Sequence, residues 1–380
     1  MPTPPLADEL AFAAVEAVRE HGSVTAAALA LGMPRSTLGS RLKHAARLGA
    51  APGHFSNGVA PGYLMGKVTV QRAADGSVER TWERQSPDQE QAQEVLRAWI
   101  EGLAENAPPA PTIAAPSICD ADLLTVYPMG DPHFGLLSWA KETGENFDLA
   151  IASRLTLAAI DRLVASAPAS ELAMLLNLGD LFHADDSSNR TPRSGASLDV
   201  DGRFPRIAVV ALDAMVHCIY RLLEKHRRVI VRNNRGNHDP HQAFMLAVAL
   251  NAHFRNEVRV EIDMSPASFY YFEFGKVLIG STHGDGAKLG ELPLIMADDQ
   301  GEAWGRTKFR VFHCGHFHHD QVKDHPGCTV ETHRTLAAKD SWHTHMGYRS
   351  ARDMKAIVYH RDFGEMTRIR CGVPMLEMAA

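Results

Sequence analysis

Cysteine is scarce in this chain, and its scarcity is informative. The five cysteines (Cys119, Cys218, Cys314, Cys328 and Cys371) are scattered, odd in number and never arranged as Cys-x-x-Cys. A disulfide framework is therefore not expected, and a reducing cytoplasm is the expected compartment. Long apolar runs are missing too. No stretch reaches the ~18 residues of a membrane span, and Met1–Leu6 lacks the basic-then-apolar order of a secretory signal. Positive charge is not in excess: 39 Lys and Arg stand against 45 Asp and Glu, a net charge of −6. That argues against a uniformly basic nucleic-acid binder but leaves room for a local basic face, because steering depends on where charge sits. Internal repeats are absent. What remains is an ordinary globular composition, 45% hydrophobic and 22% charged over 380 residues, enough for two or three domains. A homo-oligomer stays open.

The first 48 residues read as helices. Residues 7–20 carry Leu10, Phe12, Ala14, Val15 and Val18 at helical spacing and stop at Gly22. Ser23 and Thr25 are caps for a short second helix through Leu31. Gly32-Met33-Pro34 makes a tight turn, and Ser36 opens a third helix to about Leu48. Ala27 and Ala28 permit close approach, with Leu31, Met33, Leu38 and Leu42 expected to face inward. This layout resembles the helix-turn-helix domains of the Fis and AsnC kind, which implies DNA as a partner. The third helix would present Arg35, Arg41, Lys43, His44 and Arg47, with no carboxylate between Arg35 and Leu48. A small bundle used for protein contacts is the plain alternative. Residues 62–85 read as a hairpin, from alternating Tyr63, Met65, Lys67 and Thr69 through Ala74-Asp75-Gly76 to Val78 and Trp82. A helix over about 86–103 precedes Ala107-Pro108-Pro109-Ala110-Pro111, a semi-rigid linker. The expected organisation is a helix-turn-helix domain at 1–48, a hairpin and helix module at 49–105, a linker at 106–118 and a larger α/β domain at 119–380.

In that larger domain short apolar runs (123–127, 172–176, 229–231, 277–279 and 309–312) alternate with helical patterns such as 151–165 and 206–225, the signature of layered α/β structure. A polar motif follows each run: Asp131-Pro132-His133, Gly179-Asp180, Gly236-Asn237-His238-Asp239, His283-Gly284 and Gly315-His316-Phe317-His318. Loops at the carboxyl ends of strands are where such folds build sites. Asp and His at alternate positions on a strand exit would point the same way and grip one ion. A lone Asp after a glycine turn can bridge two ions, Asn237 supplies a neutral oxygen, and the histidines supply nitrogens. Oxygen and nitrogen ligands without thiolate favour Mn, Fe or Zn. Singly, each motif has an ordinary explanation as a turn or a buried histidine. Together, in this order, at intervals of 49, 57, 46 and 33 residues, they suit successive strand–helix units.

On these five motifs, residues 122–320 resemble the calcineurin-like metallophosphoesterase superfamily, with no ligand missing. The resemblance implies a four-layer β-sandwich flanked by helices. It also implies two divalent ions, Mn first with Fe or Zn as alternatives. Asp131, His133, Asp180 and His318 would hold one ion; Asp180, Asn237, His283 and His316 would hold the other. Such a pair clamps a phosphate and lowers the pKa of a bridging water to make the attacking hydroxide. His238 would protonate the leaving group or steady the phosphate. Leu178-Gly179-Asp180-Leu181-Phe182-His183 is similar to the motif of the SbcD-like DNA repair nucleases, which implies that His183 contacts the scissile phosphate. Protein phosphatases of the superfamily carry Asp-Arg-Gly after the bridging aspartate; Ala184-Asp185-Asp186 stands here instead. Only 62 residues follow His318, short of the capping domain and partner-binding helices of full-length repair nucleases. The loop 187–204, with Asn189, Arg190 and Arg193, reads as facing substrate, against an ordinary surface insertion. Asp340, Trp342, His343, His345 and Arg349 form a polar–aromatic cluster, equally compatible with a structural role. Residues 355–360 read as a strand closing the sheet.

Three functions are compatible with this reading. The first is a metal-dependent nuclease fed by its N-terminal domain, an architecture of phage or prophage type. The second is a phosphodiesterase or phosphatase of nucleotides or cyclic nucleotides. The third is a DNA-binding regulator whose second domain senses a ligand, against which the full ligand set argues.

Overall fold

Parallel strands covered on both faces need apolar residues at every position, whereas a single buried face needs only alternate ones. In the computed structural model all five apolar runs lie in strands of the first kind. Residues 8–48, 50–51, 54–55, 63–72, 78–87 and 113–377 are described, and the chain divides into two units, Met1–Leu103 and Ala104–Ala380.

The first unit holds α1 (Asp8–His21), α2 (Val24–Ala30) and α3 (Arg35–Arg47). Ser23 is extended, and its side chain accepts the Ala26 N–H at 3.1 Å, so it caps α2 as a hydroxyl at this position should. The buried stripe of α1 is Ala11, Ala14, Val15 and Val18, spaced i, i+3, i+4, i+7. Leu10 and Phe12 flank that stripe and are exposed; of the residues expected to face inward, Leu31 is exposed, whereas Met33, Leu38 and Leu42 pack into the bundle. Small residues fill the contact instead: Ala14, Ala17, Ala27 and Ala28 pack with Leu38. Two short strands, β1 (Ala50–Ala51) and β2 (His54–Phe55), pair antiparallel, as do β3 (Tyr63–Arg72) and β4 (Val78–Pro87). Ser86 and Pro87, expected to open a helix, end β4. The rest of that helix, the Ala74-Asp75-Gly76 turn and the tract at 107–111 lie outside the described residues.

The second unit runs β5 (Asp120–Met129), α4 (Ala140–Thr143), α5 (Leu149–Ser166), β6 (Ser170–Asn177), α6 (Phe204–Lys225), β7 (Arg228–Asn233), α7 (Gln242–Phe254), β8 (Val260–Ile262), β9 (Tyr270–Phe274) and β10 (Val277–Thr282). It continues through α8 (Leu292–Asp299), α9 (Gly301–Arg306), β11 (Phe309–Cys314), β12 (Gln321–His325), β13 (Cys328–Thr332), α10 (Ser341–His345), β14 (Asp353–His360), β15 (Gly364–Gly372) and α11 (Val373–Glu377). Two mixed sheets result, ordered β15-β14-β5-β6-β7-β8 and β12-β13-β11-β10-β9. Strands β5 to β8 run parallel, and so do β10, β11 and β13. The segment expected to close the first sheet, β14, is interior to it; β15 takes the edge.

Side-chain alternation separates the layers. On β6, Leu172, Met174 and Leu176 pack with Val277, Ile279 and Val311 of the second sheet. Ala173 and Leu175 face the other way, onto Leu155, Ile160, Met215 and Ile219 of α5 and α6. On the far side Leu278, Phe312 and Val330 cover Leu292, Met296 and Ala303 of α8 and α9. Helices, sheet, sheet and helices form four layers. Among the described residues no helix is long and apolar enough to cross a membrane.

Two buried polar clusters in this frame are paired across strands. Lys355 on β14 is 2% exposed and reaches Glu331 at 2.7 Å and Asp320 at 2.5 Å. Tyr127 Oη, His226 and Ser170 form a second chain between β5, the end of α6 and the start of β6. The Ser170 N–H donates to His226 Nδ1 at 3.2 Å, so Nε2 carries the ring proton and donates to Tyr127 Oη at 2.8 Å. Burial lowers His226 from 6.5 to about 4. A histidine held low takes up its proton first in the unfolded chain. Its contribution is complete above pH 6.5 and declines as pH falls towards 4. At pH 5 the loss from this group alone is about 2 kcal/mol. Urea unfolding at pH 7.5 and pH 5 should show that decline, and His226→Gln should flatten it; an unchanged slope in the variant would remove His226 as its source.

Candidate metal centre

The carboxyl ends of β5, β6, β7, β10 and β11 share one edge of the two-sheet core, and the chain turns sharply after each. Among the described residues six non-glycine positions have positive φ, and five are Asp131, His133, Asp180, His316 and His318, at 47°, 48°, 53°, 65° and 54°. Asp131 and His133 therefore do not sit on an extended strand exit, as expected, but on two successive left-handed turns. A left-handed non-glycine residue costs on the order of 1 kcal/mol or more, and persists only where its surroundings over-determine it.

The surroundings do so here. The His133 N–H donates to Asp180 O at 3.0 Å, Phe134 N–H to Leu181 O at 2.7 Å, and His183 N–H to Phe134 O at 3.0 Å, which zips the first loop onto the second. Thr335 Oγ1 donates to Asp131 O at 2.6 Å, and the His316 N–H reaches both Asp131 oxygens at 2.9 Å. Asp239, fully buried, accepts from Gly236, Asp180 and Phe182 N–H at 2.9, 3.1 and 3.1 Å. Burial, then the nearby Asp180 charge, pushes the Asp239 carboxyl up to about 7. At Gly236 a Cβ would stand 1.9 Å from Asp180 Oδ1 and 2.3 Å from its backbone nitrogen. Only glycine lets these loops meet.

Two groups of ligand-type atoms converge. In the first, Asp131, His133 and His318 offer atoms within 4.8 Å of one another: His318 Nε2 lies 3.3 Å from His133 Nε2 and 3.4 Å from Asp131 Oδ1. In the second, Asp180, His283 and His316 do the same. His283 Nδ1 donates to Leu178 O at 2.9 Å, which turns Nε2 towards Asp180 Oδ2 at 3.2 Å and Asn237 Oδ1 at 3.0 Å. The groups adjoin, with Asp131 Oδ1 3.9 Å from His283 Nδ1. Asp131, His133, Asp180 and His283 are each no more than 2% exposed.

The charges say what these atoms lack. Burial would raise Asp180, but His283 beside it, with His238 and His133, holds it well below the usual carboxylate range. Burial would lower His283, but Asp180 pushes it up to about 10. Burial, then the neighbouring His238, holds His133 well below an ordinary histidine. Imidazole nitrogens and carboxylate oxygens thus face one another in two groups that have the donors to hold a metal ion. A divalent ion fits each group, since metal binding displaces the proton such ligands carry.

Beside the first group stand His183 and His238. Were His133 Nε2 a ligand, its Nδ1 would keep the proton and donate to His183 Nδ1, 3.3 Å away. His183 would then carry its own proton on Nε2, which is buried and has no hydrogen-bond partner. Burial, then His238, lowers His183 to about 3, so it is neutral at physiological pH. His238 stacks on it at 5.3 Å and 22°, and its Nδ1 donates to His183 O at 2.8 Å.

Other expected residues fall less uniformly. In the loop 187–204, Arg190 folds back onto Gly195 O at 2.7 Å and Asn189 occupies a left-handed turn. Arg193 reaches Asp285 O at 3.4 Å, next to the second group. On α3, His44 is tied to Asp8 of α1 at 2.9 Å, a carboxylate that sequence distance concealed. Arg35 and Lys43 are exposed, Arg41 is half-buried, and the Arg47 side chain lies outside the described residues. His313, next to β11's carboxyl end, is buried against His333 and Tyr359. Sequence reasoning gave no role to Asp185, which accepts the His241 and Gln242 N–H groups at 3.0 and 2.9 Å and caps α7 from another loop. Asp239 was visible within the Gly-Asn-His-Asp motif, but its three backbone partners were not.

No family model and no curated protein matches the chain. Solved structures that match it include a conserved uncharacterised protein of Streptococcus pneumoniae described as a predicted phosphoesterase, at 12% identity over 66% of this chain and 98% of that one, with a TM-score of 0.25. A second is described as a novel archaeal phosphodiesterase, at 12% identity over 65% and 99%, with a TM-score of 0.33. A third is Vps29 of Entamoeba histolytica complexed with zinc, at 12% identity over 65% and 98%, with a TM-score of 0.27. At such scores the side chains of the centre, rather than these likenesses, carry the functional reading.

Gly236→Ala should displace the Asp180 carboxylate and weaken binding of Mn²⁺ by at least tenfold in isothermal titration, about 1.4 kcal/mol. Unchanged affinity would mean that Asp180 takes no part in holding the ion.

Proposed function

We propose that this chain is a two-metal phosphoesterase that hydrolyses phosphodiester bonds, with DNA as its substrate. The observation that carries the reading is the pair of adjoining ligand groups, each mixing imidazole and carboxylate atoms that have the donors to hold a metal ion. Asp131, His133, Asp180 and His318 would hold one ion; Asp180, Asn237, His283 and His316 the other. Imidazole with carboxylate, and no thiolate, suits Mn²⁺, with Fe or Zn next. Two such ions clamp a phosphoryl group, activate water and offset charge on the attacking and leaving oxygens.

The chain's own side chains supply the rest. His183, through its partnerless Nε2–H, donates to a non-bridging phosphate oxygen, where a fixed donor in a dry site counts most as charge builds. His238, whose Nδ1–H is donated to His183 O, would pass a proton to the leaving oxygen from Nε2 when the ring is doubly protonated, and would be left as neutral imidazole. A phosphodiester rather than a monoester is favoured by the neutral character of His183, which offers one directed donor instead of a second positive charge. DNA is favoured by the exposed Arg35 and Lys43 on α3 and by Arg193 beside the second group. Phosphate contacts of this kind supply most sequence-independent affinity.

With Mn²⁺ the purified chain should degrade linear DNA. Asp180→Asn or His316→Ala should abolish turnover. His183→Ala should lower kcat by roughly 10²–10³ while metal analysis still finds two ions per chain. Turnover of bis-p-nitrophenyl phosphate without DNA cleavage would move the substrate to a small nucleotide ester. Separately, Arg41→Ala with Lys43→Ala should weaken duplex binding and flatten its salt dependence by a slope of about 2. Unchanged binding at low salt would relieve α3 of that role.

A further inference from the structure

The segment 340–349 is not used by the chemistry above, yet it lies against the metal centre. Asp340 caps α10: its Oδ1 accepts the His343 N–H at 2.7 Å and meets His343 Nδ1 at 2.7 Å. That pair presents the His343 ring flat against His318, with centroids 4.8 Å apart and planes at 17°. Trp342 stands edge-on to His343 at 4.9 Å and 89°, and Tyr348 completes the group, 5.9 Å from Trp342 and 5.1 Å from His343. The segment is anchored to its neighbour by Ser138 Oγ, which donates to Lys339 O at 2.7 Å, and α10 packs against α4.

Anchored as it is, the segment leaves its largest apolar ring in water. Trp342 is 56% exposed, and Trp139, at the start of α4, is 60% exposed. Neither ring is needed by the core, and each leaves apolar area unburied at a cost of about 25 cal/mol per Å². Residues 341–352 contain Arg349 and Arg352 and no carboxylate; Arg352 is paired with Glu145 at 2.9 Å, and Arg349 donates to Tyr348 O at 2.7 Å. The flanking Asp340 is committed to His343, and Asp353 to Arg334 and Arg370. An exposed indole in a carboxylate-free stretch, two ring-to-ring steps from a proposed ligand, suits a flat aromatic group joined to a phosphate.

We propose that Trp342 is a stacking platform for a nucleobase adjoining the scissile phosphate, and that His343, fixed by Asp340, sets the spacing between platform and centre. The proposal rests on the phosphodiesterase reading and adds its substrate side: a single-stranded or frayed nucleic acid, whose bases are free to leave their own stack. Trp342 is then a specificity residue, with no part in the bond-breaking step.

The test uses the full chain carrying Asp180→Asn, to prevent cleavage, with Mn²⁺ and two fluorescein-labelled ten-nucleotide strands of equal charge, one normal and one abasic. Anisotropy should show the normal strand bound at least tenfold more tightly, the size of one base–aromatic stack. Trp342→Ala should abolish that preference and Trp342→Phe should keep most of it, with melting temperature and metal content unchanged in both. In the cleaving chain Trp342→Ala should raise KM on single-stranded DNA and leave kcat unaltered. Persistence of the base preference in Trp342→Ala would overturn the platform, as would a fall in kcat with KM constant. Cleavage of DNA by the parent chain without any base preference would remove the platform alone. A base preference lost in Trp342→Ala, in a chain that cleaves no phosphodiester, would remove the nuclease reading alone.

Discussion

The Asp239 carboxylate accepts three backbone N–H groups from two loops, those of Gly236, Asp180 and Phe182, and the centre depends on that junction. It joins the loop after β7 to the loop after β6, together with the bonds from His238 to His183 O and from His241 and Gln242 to Asp185, and it holds the Asp180 N–H in its left-handed conformation. Buried N–H groups must be paired, since each one left open costs about 1–3 kcal/mol. The same junction requires glycine at 236, where any side chain would displace the Asp180 carboxylate. Local strain at Asp131, His133, Asp180 and His316 is therefore offset by hydrogen bonds that their own backbone groups make.

Charge follows from the same geometry. Buried carboxylates and imidazoles are costly singly and tolerable together, so Asp180 is held low and His283 high by each other. His133 and His183 are held neutral by burial and by the neighbouring His238. A site built this way has donors already stripped of water, facing inward and short of a positive charge. Were His133 a ligand through Nε2, its Nδ1 proton would go to His183 Nδ1, 3.3 Å away, and leave the His183 proton on the buried Nε2. The aromatic rim follows the same logic at the surface: Asp340 fixes His343, His343 lies on His318, and Trp342 stays open to solvent.

Much of the frame was legible in the chain because parallel strands covered on both faces leave a continuous apolar record. Runs such as 172–176 and 229–231 fall in β6 and β7 for that reason. The helices at 149–166 and 204–225 follow from their 3.6-residue spacing. Periodicity reads less well where small residues do the packing. On α1, Ala11 and Ala14 carry the contact, and the larger Leu10 and Phe12 lie outside it. It also could not show that β15 would take the sheet edge beyond β14, since edge and interior strands of a short hairpin share the same alternation.

The five motifs taken together, rather than any one of them, pointed to residues that the fold brings close to one another. Sequence alone could not give the backbone of those donors: left-handed turns at Asp131 and His133 exist only because distant atoms, the carbonyl of Asp180 and the hydroxyl of Thr335, hold them. Nor could it show that Asp8 claims His44 across 36 residues, that Asp185 caps a helix 57 residues away, or that His343 lies flat on His318. Local chemistry is written in neighbouring residues and can be read there. Which groups meet, and so which are paired, strained or left open, is decided by contacts between residues far apart in the chain, and only the folded molecule contains them.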